Sequence, residues 1–164
     1  MQRVALKETP DIPSASLHHD HANDDPLHGH NLDPKFFAHA QVPQNMGQLP
    51  DANGRAVGIG SCGDQMEVTL EVADNTIRRI RHLPRGCVYT VACGSAMTHL
   101  AAGRRLEEAL ALTPEQVAEE LGGLPEDHRH CAALAINTLG EAIDDYYQTV
   151  WGARAKTGTS QKPS

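Results

Sequence analysis

The clearest pattern in the chain is the strict alternation of apolar and polar residues in "MEVTLEV". Met66, Val68, Leu70 and Val72 fall on one side of an extended chain, and the polar residues between them fall on the other. This alternation predicts a strand with one buried face. The turn residues "ADN" follow, and "TIRRIRHL" then predicts a second strand that pairs antiparallel with the first.

From Val88 onward the apolar period becomes that of a helix. "VYTVACGSAMTHLAAG" predicts a helix that ends near Gly103, which suits a C-terminal cap. "RLEEALAL" predicts a short helix, and "TPEQVAEELGG" shows a capping-box pattern. A last helix is predicted from about Cys131 to Trp151. Ahead of the strands, Asp33 and Pro34 predict the start of another helix, whereas "VPQNMGQLPDANGRAVG" is typical of a loop.

Because strands come first and helices follow, the order predicts an α+β fold, with a sheet that carries helices on one face. This body spans residues 32–151. Residues 1–31 are polar without an apolar period and predict a disordered tail, either a loose metal buffer or an incidental polar segment. Residues 152–164 are small and basic and predict a second disordered tail. The first tail contains five histidines: His18, His19, His21, His28 and His30.

The overall charge argues against some classes of partner. The formal charge of the 164 residues is −7 with histidine neutral, so a general nucleic-acid binder with a basic face is not expected. No run approaches the roughly 18 apolar residues of a membrane span, and the N-terminus has no apolar core of a secretory signal. We therefore expect a cytoplasmic protein, in which cysteines are kept reduced.

Three of the four cysteines lie at predicted element boundaries. Cys62 lies in a glycine-bracketed turn two residues before Asp64, and Cys87 and Cys131 begin helices. A helix N-terminus favours the thiolate, so depressed pKa values are expected for Cys87 and Cys131. His130 adds an imidazole. Thiolates of this kind select zinc, Cu(I) or iron–sulfur clusters.

The spacing alone leaves another interpretation open. Free cysteines often simply pack in the core, and the intervals between these four match no zinc-finger template.

Three segments in order resemble the cluster-scaffold domain of NifU/IscU-type iron–sulfur assembly proteins: "SCGDQMEVTLEV", "GCVYTVACGSAMTHLAAGRRLEEAL" and "LGGLPEDHRHCAALA". "VPQNMG" also resembles the N-P-R-N-x-G segment of that family, and the likeness covers roughly residues 33–148. The resemblance implies a small antiparallel sheet of about three strands with helices on it. It implies a scaffold, not an enzyme, that builds a [2Fe–2S] cluster from iron and from the sulfur of a cysteine desulfurase and passes it to apo iron–sulfur proteins.

The resemblance also implies the site residues. Cys62, Asp64, Cys87, His130 and Cys131 match the cluster-assembly positions, and Cys131 matches the usual persulfide acceptor. Cys87 is preferred over Cys93 for the second position, because it precedes Gly103 by sixteen residues as the family pattern requires. Cys93 is predicted to be a packing residue, or else a spare thiol.

This ligand set suits a cluster that must be released. Three cysteines with a harder ligand such as Asp64 or His130 are expected to hold it less firmly than four cysteines. Zinc can occupy the same residues in such proteins. The alternative is therefore a zinc-containing, SufU-like sulfurtransferase that accepts persulfide, although the insertion between the second and third cysteines of such chains is not evident here.

One departure from the family concerns a partner. "LPEDHRHC" replaces the L-P-P-V-K stretch that a dedicated Hsp70-type chaperone reads in IscU-type proteins. Glu126, Asp127 and His128 therefore weigh against that chaperone as a partner.

Overall fold

The computed structural model describes residues 31–158. The predictions made for residues 1–30, including the five histidines, and for residues 159–164 lie outside the described part of the chain.

The sheet has three antiparallel strands in the order β1 (Gly54–Ile59), β2 (Gln65–Ala73) and β3 (Thr76–Arg85). The alternation predicted in β2 is confirmed, because its four apolar side chains are all buried. Asp74 and Asn75 form the tight connection to β3 with φ values of 53° and 57°, which is typical of a two-residue hairpin turn.

The helices are α1 (Pro34–Gln41), α2 (Val88–Ala101), α3 (Leu106–Leu110), α4 (Pro114–Glu120) and α5 (Arg129–Gly158), with a 3₁₀ turn at Glu126–His128 before the last. α5 packs on β1 and β2, and α2 packs on β3. The α+β class is confirmed. Two predicted helix starts are confirmed as well: the Asp33 side chain accepts from the Lys35 N–H, and Thr113 and Gln116 form a capping box.

The strand β1 corrects the loop expected before the sheet. The sequence "GRAVGI" shows little alternation because two of its buried positions are glycines. A Cβ at Gly58 would lie 2.0 Å from the Thr138 Oγ1 atom, and one at Gly54 would lie 2.6 Å from the Ala142 carbonyl oxygen. The glycines therefore let α5 approach β1 closely, a constraint of tertiary packing that the apolar pattern does not record.

The last helix is longer at both ends than expected. α5 begins at Arg129, so Cys131 lies inside its first turn and does not start it. At the other end the helix continues past Trp151 to Gly158, into the segment predicted to be a tail. That segment contains alanine, arginine and lysine, which are strong helix formers. Among residues 31–158, no helix is both long and apolar enough to cross a membrane.

Candidate functional site

Cys87 and Cys131 are brought together by two different helices. Cys87 is the N-cap of α2, directly after β3, and Cys131 lies in the first turn of α5. The hydroxyl oxygen of the buried Thr90 lies 3.6 Å from the Cys87 sulfur and 3.5 Å from the Cys131 sulfur. One turn of α2 thus places a hydroxyl between two thiols that are 44 residues apart in sequence.

Asp64 reaches the same place from the connection between β1 and β2. Its Oδ2 accepts from the Thr90 hydroxyl at 2.5 Å and from the Cys87 N–H at 3.2 Å. The Thr90 hydrogen bond lowers the pKa of Asp64, with further contributions from the Cys87 N–H and from the Cys87 and Cys62 thiols against an opposing effect of burial. The carboxylate is therefore ionised at neutral pH.

Cys62 lies on the exposed part of this connection. The turn is closed by a 2.7 Å hydrogen bond from the Gly60 N–H to the Asp64 carbonyl, and Gly63 has a φ of 88° that favours glycine. The Cys62 thiol interacts with the Asp64 carboxylate. It is thus the solvent-exposed thiol of the group, whereas Cys131 is fully buried.

The pKa of Cys131 corrects the sequence-based expectation. Burial raises the pKa of the thiol to about 12, the neighbouring Cys87 and Cys62 add to the increase, and the Thr90 hydrogen bond opposes it. The helix N-terminus was expected to depress this value. Burial has the larger effect on the pKa. The free energy lost when a thiolate is removed from water exceeds the stabilisation that the partial positive charge of a helix N-terminus provides.

His128 supplies an imidazole close to two of these thiols. Ligand atoms of Cys87, His128 and Cys131 all lie within 4.8 Å of one another. The His128 ring stacks on Tyr89 with the centroids 3.6 Å apart and the planes 6° from parallel. The sequence alone predicts no ligand role for His128. The signal that could have found it is its position three residues before Cys131, since residues three apart share one side of a helical turn.

His130 is placed differently. It lines a cleft between β1 and α5 together with Gly58, Gly60 and Thr138, and its ring centroid is 6.2 Å from that of His128. The structure thus gathers Cys62, Asp64, Cys87 and Cys131 in one place with His128, and sets His130 beside them. Its predicted ligand role stays a prediction.

Cys93 lies in the core on α2 with no exposed surface. Burial raises the pKa of its thiol well above the usual value. Its small side chain belongs to the run of small residues that lets α2 pack closely against the sheet.

The chemical character of the site is that of a soft-metal site. The three thiols belong to three separate segments of the chain. An ionised carboxylate lies among them, and an imidazole is close. Such a donor set fits zinc or an iron–sulfur cluster and does not fit magnesium or calcium, which prefer oxygen ligands.

Comparison with known proteins agrees with a site for an iron–sulfur cluster. The family model described as the NifU-like N-terminal domain matches residues 32–151. The iron–sulfur cluster assembly scaffold protein IscU 1 of Archaeoglobus fulgidus is 44% identical over 115 residues, which cover 70% of this chain and 75% of that protein. The IscU scaffold protein of Aquifex aeolicus is 39% identical over 115 residues, with 68% and 73% covered.

Solved structures share the fold. The N-terminal NifU-like protein of Brucella abortus aligns with a TM-score of 0.57 at 18% identity, covering 71% of this chain and 94% of that one. The SufU-type scaffold of Fervidobacterium islandicum aligns with a TM-score of 0.54 at 20% identity, covering 67% and 94%. The family model over residues 32–151, together with the sequence identity to curated IscU scaffolds, shows that the chain belongs to the NifU-like N-terminal domain family.

Proposed function

We propose that this protein is a scaffold on which an iron–sulfur cluster is assembled and from which it passes to apo-proteins. The observation that carries the proposal is the convergence of Cys62, Cys87 and Cys131 around the hydrogen-bonded pair of Thr90 and Asp64. The names of the curated relatives support it. The chain's part is to bind and release the cluster, which is cargo and not a resident cofactor.

The ligand arrangement suits a cluster that must leave again. Cys87 and Cys131 are held by helices, whereas Cys62 lies on a short exposed turn with a glycine on each side of it in the sequence, at Gly60 and Gly63. A thiolate on such a turn can withdraw at less conformational cost than one fixed in a helix. The ionised Asp64 beside it offers a harder and weaker oxygen ligand. A [2Fe–2S] centre, with its four terminal ligand positions, fits three cysteines plus one such harder ligand.

Sulfur would reach the site as a persulfide from a cysteine desulfurase, with Cys131 as the acceptor. The Cys131 thiolate attacks the outer sulfur of the desulfurase persulfide, the sulfur–sulfur bond breaks, and the desulfurase cysteine leaves as a thiolate. No oxidant is needed for this transfer. Reduction of the transferred sulfur to sulfide then takes two electrons from an external donor. Because Cys131 is fully buried, the reaction requires a local opening of the structure that exposes its sulfur.

The function is tested by cluster transfer. The protein is incubated without oxygen with ferrous iron, cysteine, a reductant and a desulfurase, and an apo-ferredoxin is then added. We expect iron and acid-labile sulfide to accumulate in equal amounts on the scaffold and then to appear on the ferredoxin. Sulfide that never becomes bound to this chain would contradict the proposal.

A zinc-containing sulfurtransferase is the second candidate. The observation that favours it is the compact group of two thiols and one imidazole at Cys87, Cys131 and His128, a donor set that zinc also binds. Tight zinc together with persulfide on Cys131, stimulated desulfurase turnover and no labile sulfide in the same experiment would establish it in place of the scaffold.

A further inference from the structure

A second group of potential metal ligands lies where three helices end. His39 is in the last turn of α1, His99 is in the last turn of α2, and Glu120 is the last residue of α4. The Nε2 atoms of the two histidines lie 3.7 Å and 3.5 Å from the same Glu120 carboxylate oxygen. Along α2, His99 is about 18 Å beyond Cys87, so this group is separate from the thiols.

The other ring nitrogen of each histidine is held by the protein. The His99 Nδ1–H donates to the Gln44 Oε1 atom at 3.0 Å, because an amide oxygen can only accept. The His39 Nδ1 atom lies 2.8 Å from the Ser95 hydroxyl oxygen, which accepts from the Gln44 N–H at 2.8 Å. Partners of this kind at the outer nitrogen are what orients histidines that bind a metal through the inner one.

The hydrogen bonds leave a place for a cation between His99 and Glu120. With the proton of the neutral His99 ring on Nδ1, its Nε2 atom carries a lone pair and lies 3.5 Å from a carboxylate oxygen. Two acceptors at this distance repel each other unless a cation lies between them. The C-terminal ends of α1 and α2 add partial negative charge at the same place, which also favours a cation.

The distances fit a bound metal ion. With metal–nitrogen and metal–oxygen bonds of about 2.1 Å, the ligand atoms of a tetrahedral zinc site are about 3.4 Å apart. The two nitrogen–oxygen distances are close to this value. The ring centroids of His39 and His99 are 6.1 Å apart, whereas two imidazoles on one tetrahedral ion are about 5 Å apart. His99 is half-exposed and free to close this difference.

We propose that His39, His99 and Glu120 bind a divalent transition-metal ion such as Zn²⁺, with water in its fourth position. Two imidazoles and a carboxylate are a donor set that zinc binds. Burial lowers the pKa of His39, against the opposing effect of Glu120, so its ring is a neutral ligand at pH 7. The ion would join the ends of α1, α2 and α4. The inference does not rest on the proposed function.

The test is a Zn²⁺ titration of the metal-free, reduced full-length chain, followed by NMR of the histidine rings. The ¹³Cε1–¹H signals of His39 and His99 are assigned from the His39→Gln and His99→Gln variants, which separates them from the signals of the other histidines. We expect both signals to shift together as one binding event. The His99→Gln variant should lose the zinc-dependent shift of His39.

Two variants of neighbouring carboxylates decide whether Glu120 is a ligand. Glu120→Gln keeps the shape of the side chain but loses the anionic oxygen, so zinc binding at the two histidines should weaken by about tenfold or more. Glu119→Gln is the matched control, because it removes the same charge from the adjacent, exposed residue. Its zinc affinity should stay within about twofold of the wild type.

The outcomes separate this site from the thiols and from the scaffold function. Zinc that leaves both ring signals unchanged, while His99 still titrates with pH, would overturn the site and assign its place to a proton alone. Equal weakening in Glu120→Gln and Glu119→Gln would also overturn it. The titration involves no sulfide and no desulfurase. A protein that shows the expected shifts but gathers no labile sulfide would therefore keep this site and lose the scaffold function.

Discussion

At the scale of single residues, Thr90 organises the site. Its hydroxyl donates to the Asp64 carboxylate and lies within 3.6 Å of both the Cys87 and the Cys131 sulfurs. It is the first cause of the lowered pKa of Asp64. Thr90 thus keeps an anion beside thiols that must themselves become thiolates to bind metal.

Replacing Thr90 by valine should raise the pKa of Asp64 toward its usual value, because the strongest hydrogen bond to the ionised form is lost. Carboxyl ¹³C chemical shifts of the metal-free protein, followed against pH, measure this directly. Thr90→Ser is the matched control, since it keeps the hydroxyl, and its Asp64 should titrate as in the wild type. Equal Asp64 titration in the valine and serine variants would show that another group sets this pKa.

The sequence pointed to four residues that the structure places close together, but not to two of their neighbours. Cys62, Asp64, Cys87 and Cys131 stand at element boundaries and in family motifs, and the structure brings them together. Thr90 and His128 lie within the same family segments but match none of the cluster-assembly positions. Their roles depend on which side of a helix faces a partner 40 residues away, and the pKa of Cys131 depends on burial that only the tertiary fold creates.

At the scale of elements, the close approach of α2 to β3 depends on Gly94. The buried His82 of β3 lies against this glycine, where a Cβ would be 2.3 Å from the His82 Nδ1 atom and 3.0 Å from the Met66 methyl carbon. His82 is itself held by its Nε2 atom at 2.9 Å from the Gln44 carbonyl oxygen. The ring therefore has little freedom to move away.

Gly94→Ala should lower the free energy of unfolding, because overpacking costs about 1–3 kcal/mol and exceeds the gain of up to about 1 kcal/mol in helix propensity. Urea denaturation monitored by circular dichroism measures the difference. Gly140→Ala in α5 is the control, since nothing lies within 4 Å of its added Cβ, and it should stabilise the protein by about 0.5–1 kcal/mol. Similar stability of the two variants would refute the packing account.

Elements with a strong local signal were predicted well, and those shaped by packing were not. The alternation of β2 and the capping residues Asp33 and Thr113 act locally, so the sequence shows them. The sequence of β1 predicts a loop, because its contacts with α5 require glycines in place of apolar side chains. The sequence predicts the start of α5 near Cys131 and not at Arg129, because the preceding 3₁₀ turn continues directly into the helix.

At the scale of the whole molecule, a buried histidine makes stability depend on pH. Burial lowers the pKa of His82 to about 4, so the folded protein keeps this ring neutral while the unfolded chain, with a pKa near 6.5, takes up a proton. The unfolded state therefore binds more protons between these values. Stability should be fully present above about pH 6.5 and fall as the pH decreases to about 4.

The size of this effect for His82 is about 3 kcal/mol, given about 1.4 kcal/mol per pKa unit. The pKa of His39, which burial also lowers, adds in the same direction. Chemical denaturation at a series of pH values between 7 and 4 checks the slope. His82→Gln removes the titrating group, so its stability should change less over this range, and an unchanged slope would contradict the assignment to His82.

The central claim is that the thiols of Cys62, Cys87 and Cys131 together hold the cluster, and the fourth cysteine provides its control. The most direct measurement is iron and acid-labile sulfide per chain after anaerobic reconstitution of the wild type and of the four single cysteine-to-serine variants. We predict equal iron and sulfide in the wild type and in Cys93→Ser, and loss of most of both in each of the other three. Full cluster content in Cys62→Ser, Cys87→Ser or Cys131→Ser, or its loss in a folded Cys93→Ser, would contradict the account.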